Sequence, residues 1–370
     1  MTRLETASRL VVKVGSALLV SPDGTVNRPW LDAFCSDLAA LRHQGREVVV
    51  VTSGAVAIGR HHLRLSSGPL RLEEKQAAAA AGQIQLAHAY QESLDHHGLK
   101  VAQVLLTLDD SENRRRYLNA RNTLETLLHL GAIPVINEND TVATAEIKFG
   151  DNDRLAARVA QMIVADTLVL LSDIDGLYTA DPRHDPDARF IPEVHELTAD
   201  IESMAGDPGS AFGSGGMVTK LVAARIALAA GCRMAIAPGR GLNPLRAMAE
   251  GGRCTWFLSH HEPLTARKRW IAGSLLPQGR VVVDDGACRA LAKGGSLLPA
   301  GVTAIDGDFQ KGDAVVVVSA KGKPVARGLV AYSSDEARRI LGHRSGEIEP
   351  ILGYAGRDEL IHRDDLVLEG

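Results

Sequence analysis

Two apolar runs, LVVKV at Leu10–Val14 and REVVVV at Arg46–Val51, bracket a stretch in which Trp30, Phe34, Leu38 and Leu41 recur every three to four residues. Strand, helix and strand joined by short links form a βαβ unit, which commits its two strands to run parallel. Pro29 suits the first turn of that helix. The alternation continues along the chain. It predicts helices over Glu73–His97 and Glu112–Leu130 and strands over Val101–Leu106 and Ile133–Ile136. Beyond residue 150 it predicts helix Asp153–Val164, strand Thr167–Leu171, helix Lys220–Ala230, strand Met234–Ala237 and a last pair near Leu245 and Phe257. Residues from about 8 to 260 therefore read as one doubly wound α/β domain with helices on both faces.

Past Pro277 the pattern changes to short β-like runs, VVVDD and DAVVVVS, broken by Gly and Pro, with brief helical patterns at Cys288–Lys293 and Asp335–Leu341. At 370 residues the chain is long for a single core. The expected division is a catalytic domain over 1–262, a linker over 263–276 and a small β-rich domain over 277–370. A net charge of −4 gives no general attraction to nucleic acid or anionic membrane. Between Pro277 and Pro350, 10 Lys/Arg face 9 Asp/Glu, and Phe309 and Tyr332 are the aromatics. That segment offers neither an electrostatic footprint nor a stacking platform for RNA. Cys35, Cys232, Cys254 and Cys288 form no CxxC pair, which suits a reducing compartment. No secretory pattern or membrane-length apolar run occurs, so the expected location is the cytoplasm.

In open parallel sheets, ligands sit beyond the carboxyl ends of the strands. Four such ends carry unusual residues. Lys13 stands inside an otherwise apolar strand that is followed by Gly15 and Ser16; a lysine there must snorkel or meet an anion. After VVVV come Ser53 and Gly54, which put a hydroxyl and bare amides at a helix start. After LVLL come Ser172 and Asp173. After PVIN, the run PVINENDTVATAEIKFGDND crowds Glu138, Asp140, Glu146, Asp151 and Asp153 with Asn137, Asn139 and Asn152 against Lys148. Asp151 or Asp153 can cap the following helix; otherwise such a cluster suits a magnesium–nucleotide complex or the ammonium of an amino acid. GSGGMVTK, Gly213–Lys220, is glycine-dense and ends in a lysine at a helix start, which suits phosphate. It is not a P-loop, and no GxGxxG follows the first strand.

The segments VVKVGSALL, VVVVTSGAVAIGR, VINENDTVATAEIKFGDND, LLSDIDGLYTADPR and GSGGMVTK occur in the order found in the bacterial glutamate 5-kinase family, which they resemble across essentially the whole chain. The tail, with ARKRW at Ala266–Trp270 ahead of it, is similar to the PUA domain attached to many of those enzymes. The resemblance implies an amino acid kinase fold, a mainly parallel eight-stranded sheet flanked by helices. It implies ATP-dependent phosphorylation of the side-chain carboxylate of L-glutamate, with Mg²⁺, as the first step of proline synthesis. By matching motif, the implied catalytic set is Lys13 and Lys220 on the phosphates, with Asp153 holding them in place. Ser53, Gly54, Asp140 and Asn152 would bind glutamate. Lys13, Ser172, Asp173 and the run Gly213, Ser214, Gly215, Gly216, Met217, Val218, Thr219, Lys220 would line the ATP site. The resemblance also implies a homo-oligomer and functional coupling to glutamate-5-semialdehyde dehydrogenase.

Overall fold

The computed structural model describes residues 3–66, 68–142, 152–205, 216–259, 262–263, 265–266, 268, 271 and 276–369. The chain forms two compact units, Met1–Glu112 with Asn119–Pro263, and Asn113–Leu118 with Leu264–Gly370.

In the first unit, β1 (Arg9–Val14), β2 (Glu47–Val51), β3 (Val101–Leu106), β4 (Ile133–Glu138) and β5 (Thr167–Ser172) alternate with helices. These are α1 (Ser16–Leu19), α2 (Arg28–His43), α3 (Ala55–His62), α4 (Leu72–Asp95), α5 (Leu108–Glu112), α6 (Arg114–His129, of which the residues up to Leu118 belong to the second unit) and α7 (Asn152–Met162). There follow the small ribbon β6 (Leu177–Tyr178) and β7 (Phe190–Ile191), then β8 (Glu193–Val194), α8 (Ala199–Ser203), α9 (Met217–Ala229), β9 (Arg233–Pro238), α10 (Pro244–Ala249) and β10 (Thr255–Phe257). The main sheet has eight strands in the order β3-β4-β2-β1-β5-β9-β10-β8. Every pairing is parallel except β9 with β10. The expected amino acid kinase architecture is therefore observed.

β1 lies in the middle of the sheet, where the chain turns from building one side to building the other. Such a reversal leaves a crevice at the carboxyl ends of the strands. Strand alternation sends Leu10, Val12 and Val14 into a core with Trp30, Phe34 and Leu38 of α2. Trp30 stacks on Phe34 at 5.1 Å and donates its indole N–H to the Gly239 carbonyl, tying α2 to the loop after β9. The same alternation puts Val11 and Lys13 on the opposite face, where α7 packs. Lys13 is thus delivered to the crevice by the register of a central strand.

The predicted helix over residues 112–130 is α6, with the separate short α5 ahead of it. Asn113 accepts the backbone N–H of Arg116 through its side chain and so starts α6 afresh. Strand β4 extends to Glu138, two residues beyond its predicted end.

The second unit holds a five-stranded sheet of β11 (Gly279–Val283), β12 (Val302–Gly307), β13 (Ala314–Ser319), β14 (Pro324–Leu329) and β15 (Leu366–Leu368), ordered β12-β11-β13-β14-β15. Its core joins Val281, Val283, Phe309, Val315, Val317 and Tyr332 with Ile340.

Candidate active site

Two lysines close on one carboxylate. Lys13 Nζ lies 2.7 Å from Asp153 Oδ1, and Lys220 Nζ lies 3.5 Å from Asp153 Oδ2. Thr219 donates its hydroxyl to Asp153 Oδ2 at 3.0 Å. Asp153 is fully buried, while Lys13 and Lys220 retain 9% and 5% of their exposure. Three segments far apart in sequence supply these groups: β1, the first turn of α7 and the first turn of α9. Burial alone pushes the Asp153 carboxyl up; the two ammoniums and the hydrogen bonds outweigh it and hold the group below its ordinary value. Within the triad two buried cations face one buried anion. Two preorganised ammoniums are suited to an incoming polyphosphate.

The capping role considered for Asp153 is corrected by this geometry. The residue lies inside α7, and its carboxylate faces two lysines instead of solvent. The folded-state pKa is depressed, so the stability Asp153 contributes is complete above its ordinary value of 3.8 and is lost as pH falls through the lower folded value. Asp153→Asn removes the buried carboxylate that Lys13 and Lys220 share. It is expected to cost about 3–5 kcal/mol at neutral pH, and to flatten the loss of stability on the acid side. Unfolding midpoints measured from pH 7 down to pH 3 check both.

A second cluster sits beside the first. Asn152, the neighbour of Asp153, shares the two hydrogens of Nδ2 among three acceptors, the Ser53 hydroxyl at 2.8 Å, the Thr52 carbonyl at 3.0 Å and Asn137 Oδ1 at 3.2 Å. Asn137 in turn donates to Gln83 Oε1 at 2.8 Å and accepts the Glu138 N–H at 2.9 Å. Gly54, with φ +103°, makes the left-handed turn that starts α3 behind Ser53. A side chain there would also meet Val20 Cγ2 at 3.0 Å. Asp140 follows β4 at the same end of the sheet, and burial pushes its carboxyl up to about 6.

If ionised Asp140 holds a substrate ammonium, the KM for that substrate is flat above pH 6 and climbs about tenfold per unit below it. Asp140→Ala should raise the KM for the amino acid far more than that for ATP and abolish this pH dependence. Initial rates measured between pH 5 and 8 decide it; equal effects on both substrates would contradict the assignment.

Ser172 ends β5, the neighbour of β1, and donates its hydroxyl to Asp173, the next residue, at 3.1 Å; Arg240 lies 4.0 Å from Asp173. Gly216 forms the N-cap position of α9, followed by half-buried Met217, Val218 and Thr219. Gly213, Ser214 and Gly215 lie outside the described residues, as do Glu146, Lys148 and Asp151 of the acidic stretch. The structure thus brings Lys13, Asp153, Thr219 and Lys220 into one cluster and Ser53, Asn152 and Asn137 into an adjoining one. Gln83 and Thr52 went unread from sequence. The available signal for Gln83 was a polar residue in the Ala- and Gly-rich run AAAAAGQ of α4; Thr52 takes part through its backbone carbonyl, which no side-chain pattern reveals.

Comparison with known proteins agrees with this architecture. The amino acid kinase family model matches residues 8–238 and the PUA domain model residues 279–352. A glutamate 5-kinase of Paramagnetospirillum magneticum is 69% identical, with 100% of each chain covered. Those of Rhodospirillum rubrum and Paracoccus denitrificans are 65% and 60% identical, covering 97% and 99% of this chain and 96% and 98% of theirs. A fold with its reactive crevice at the ends of β1, β4 and β5, and relatives alike from end to end, place the chain in the glutamate 5-kinase branch of the amino acid kinase family.

Proposed function

We propose that the site transfers the γ-phosphoryl group of ATP to the side-chain carboxylate of L-glutamate, giving γ-L-glutamyl 5-phosphate and ADP, the first step of proline biosynthesis. One observation carries the reading. Consecutive residues at the start of α7 face two different clusters, Asn152 the amide pocket and Asp153 the lysine triad. A rigid helix turn therefore sets the distance between an amino acid site and a phosphate site.

The acceptor carboxylate has an ordinary pKa near 4.3 and is ionised at neutral pH, so no general base is required. Nor is a protein nucleophile, and Asp153 is too buried and too fully paired to act as one. The barrier is the approach of two anions. Lys13 and Lys220 neutralise charge on the transferring phosphoryl group, and Asp153 positions both amines before substrate arrives. Ser53, Gly54, Asn152 and Asp140 hold glutamate so that its γ-carboxylate meets the phosphate in line. Ser172, Asp173 and the residues Gly213–Lys220 line the nucleotide.

Magnesium is expected to arrive on the polyphosphate. No group of three His, Cys, Asp or Glu side chains among the described residues is placed to hold an ion, and Asp153 is already occupied by lysines. Such a site suits a metal that keeps its waters and binds mainly through substrate phosphates, where it supplies charge neutralisation.

No helix among the described residues is long and apolar enough to cross a membrane. An acyl phosphate hydrolyses readily in water, which favours coupling to glutamate-5-semialdehyde dehydrogenase, and the likeness to the family favours a homo-oligomer. Sedimentation of the chain alone and with that enzyme tests both.

Kinases acting on carbamate, aspartate, acetylglutamate or UMP share the fold, so acceptor identity is the point to test. ADP release measured with each of these and with L-glutamate should be rapid with glutamate alone. Preference for any other acceptor would overturn the reading.

A further inference from the structure

We propose that Gln83 is a positioning residue which, together with the Glu138 backbone N–H, braces Asn137 against the Asn152 amide and so supports the site's preference for an acceptor bearing an α-ammonium. The inference rests on the reading of Asn152 as part of the glutamate site.

Hydrogen-bond polarity leaves these three amides little choice. The Glu138 backbone N–H can only donate, so the Asn137 atom 2.9 Å away is oxygen. The nitrogen of Asn137 then faces Gln83 and requires an oxygen there, found at 2.8 Å. At the other end, one Asn152 atom faces two acceptors, the Thr52 carbonyl at 3.0 Å and Asn137 Oδ1 at 3.2 Å, so it is nitrogen. Asn152 Oδ1 is left buried with no hydrogen-bond partner among the described residues. A buried acceptor without a donor is costly. A ligand N–H beside it removes that cost, and a ligand lacking one does not.

Gln83 is suited to anchor this chain because its own frame cannot shift. It is 7% exposed on α4. The preceding residue, Gly82, packs so tightly on the first turn of α3 that a Cβ there would lie 1.9 Å from the Ala55 carbonyl oxygen. The helix that holds Gln83 therefore also buttresses the segment just after Ser53.

The test compares L-glutamate with glutarate, the same diacid without an α-amino group, in ADP-release assays on the full chain. Gln83→Leu is expected to raise the KM for glutamate about tenfold and to leave kcat and the KM for ATP within about twofold. The ratio of kcat/KM for glutamate over glutarate should fall about tenfold. Gln83→Glu keeps an oxygen facing Asn137 and should restore the ratio. If Gln83→Leu does not fold, Gln83→Met, similar in length and without the amide acceptor, carries the same expectation. An unchanged ratio in the variant lacking the acceptor would overturn the proposal while leaving the kinase reading intact. Failure of the unaltered chain to use glutamate would defeat both.

Discussion

Lys13→Ala and Lys220→Ala are each expected to lower kcat by about 10²–10³-fold, the usual effect of deleting one preorganised charge-stabilising group, while the KM for glutamate moves little. The fold should survive either change. Asp153 keeps the remaining lysine and the Thr219 hydroxyl in both cases. Removing both amines is different in kind, because it leaves a fully buried carboxylate without a cationic partner in this triad. A penalty of about 3–5 kcal/mol is then expected. Steady-state kinetics combined with circular dichroism on the two single variants separates chemistry from folding. Near-normal turnover in both would dismiss the assigned roles.

Gly82→Ala and Gly59→Ala are expected to be the most damaging changes outside the crevice. At Gly59 an added Cβ would stand 1.7 Å from the Ala78 carbonyl oxygen and 2.7 Å from the Gly82 nitrogen. At Gly82 it would stand 1.9 Å from the Ala55 oxygen and 2.6 Å from the Gly59 nitrogen. Overpacking against movable side chains costs about 1–3 kcal/mol. Here both neighbours are backbone, so α3 must separate from α4, and about 4 kcal/mol or more is expected. In a domain of this size that is a fall of roughly 10 °C in Tm. Because α3 begins directly after Ser53 and Gly54, the KM for glutamate should rise as well. Gly68→Ala is the matched control, as a Cβ there meets nothing within 4 Å. Equal Tm values for Gly82→Ala and Gly68→Ala would contradict the close helix crossing.

The sheet was largely legible in sequence because parallel strands are buried on both faces and read as unbroken apolar runs. The helical period between LVVKV and REVVVV marked the crossover that makes those two strands parallel. Lys13 stood out for the same reason, as the charge in a run that had no other. β10 falls where the last pair was expected, near Phe257, while β8, with two residues, carries no usable period. β10 also runs antiparallel to β9, which no βαβ pattern predicts.

Residue roles at the crevice were only partly legible. Asp153 read equally well as a cap or as a partner for lysines, since spacing does not say which way a side chain in the first turn points. Its neighbour Asn152 turns to the other cluster, and that division appears only once α7 is docked between the ends of β1 and β4. Gln83, Gly59 and Gly82 were invisible because α4 is Ala-rich with weak amphipathic contrast. A helix crossing at glycines depends on which helix lies opposite, and the linear chain does not carry that.

The central claim is that a buried lysine–aspartate–lysine triad and the adjoining amide pocket together make an acyl phosphate from an amino acid. Incubation of the chain with ATP, Mg²⁺, L-glutamate and hydroxylamine tests it most directly, because hydroxylamine traps an acyl phosphate as a stable hydroxamate. γ-Glutamyl hydroxamate forming in step with ADP, only when glutamate is present and hardly at all in Lys13→Ala, is the predicted result. ADP released at the same rate without glutamate, or with no hydroxamate formed, would contradict the account.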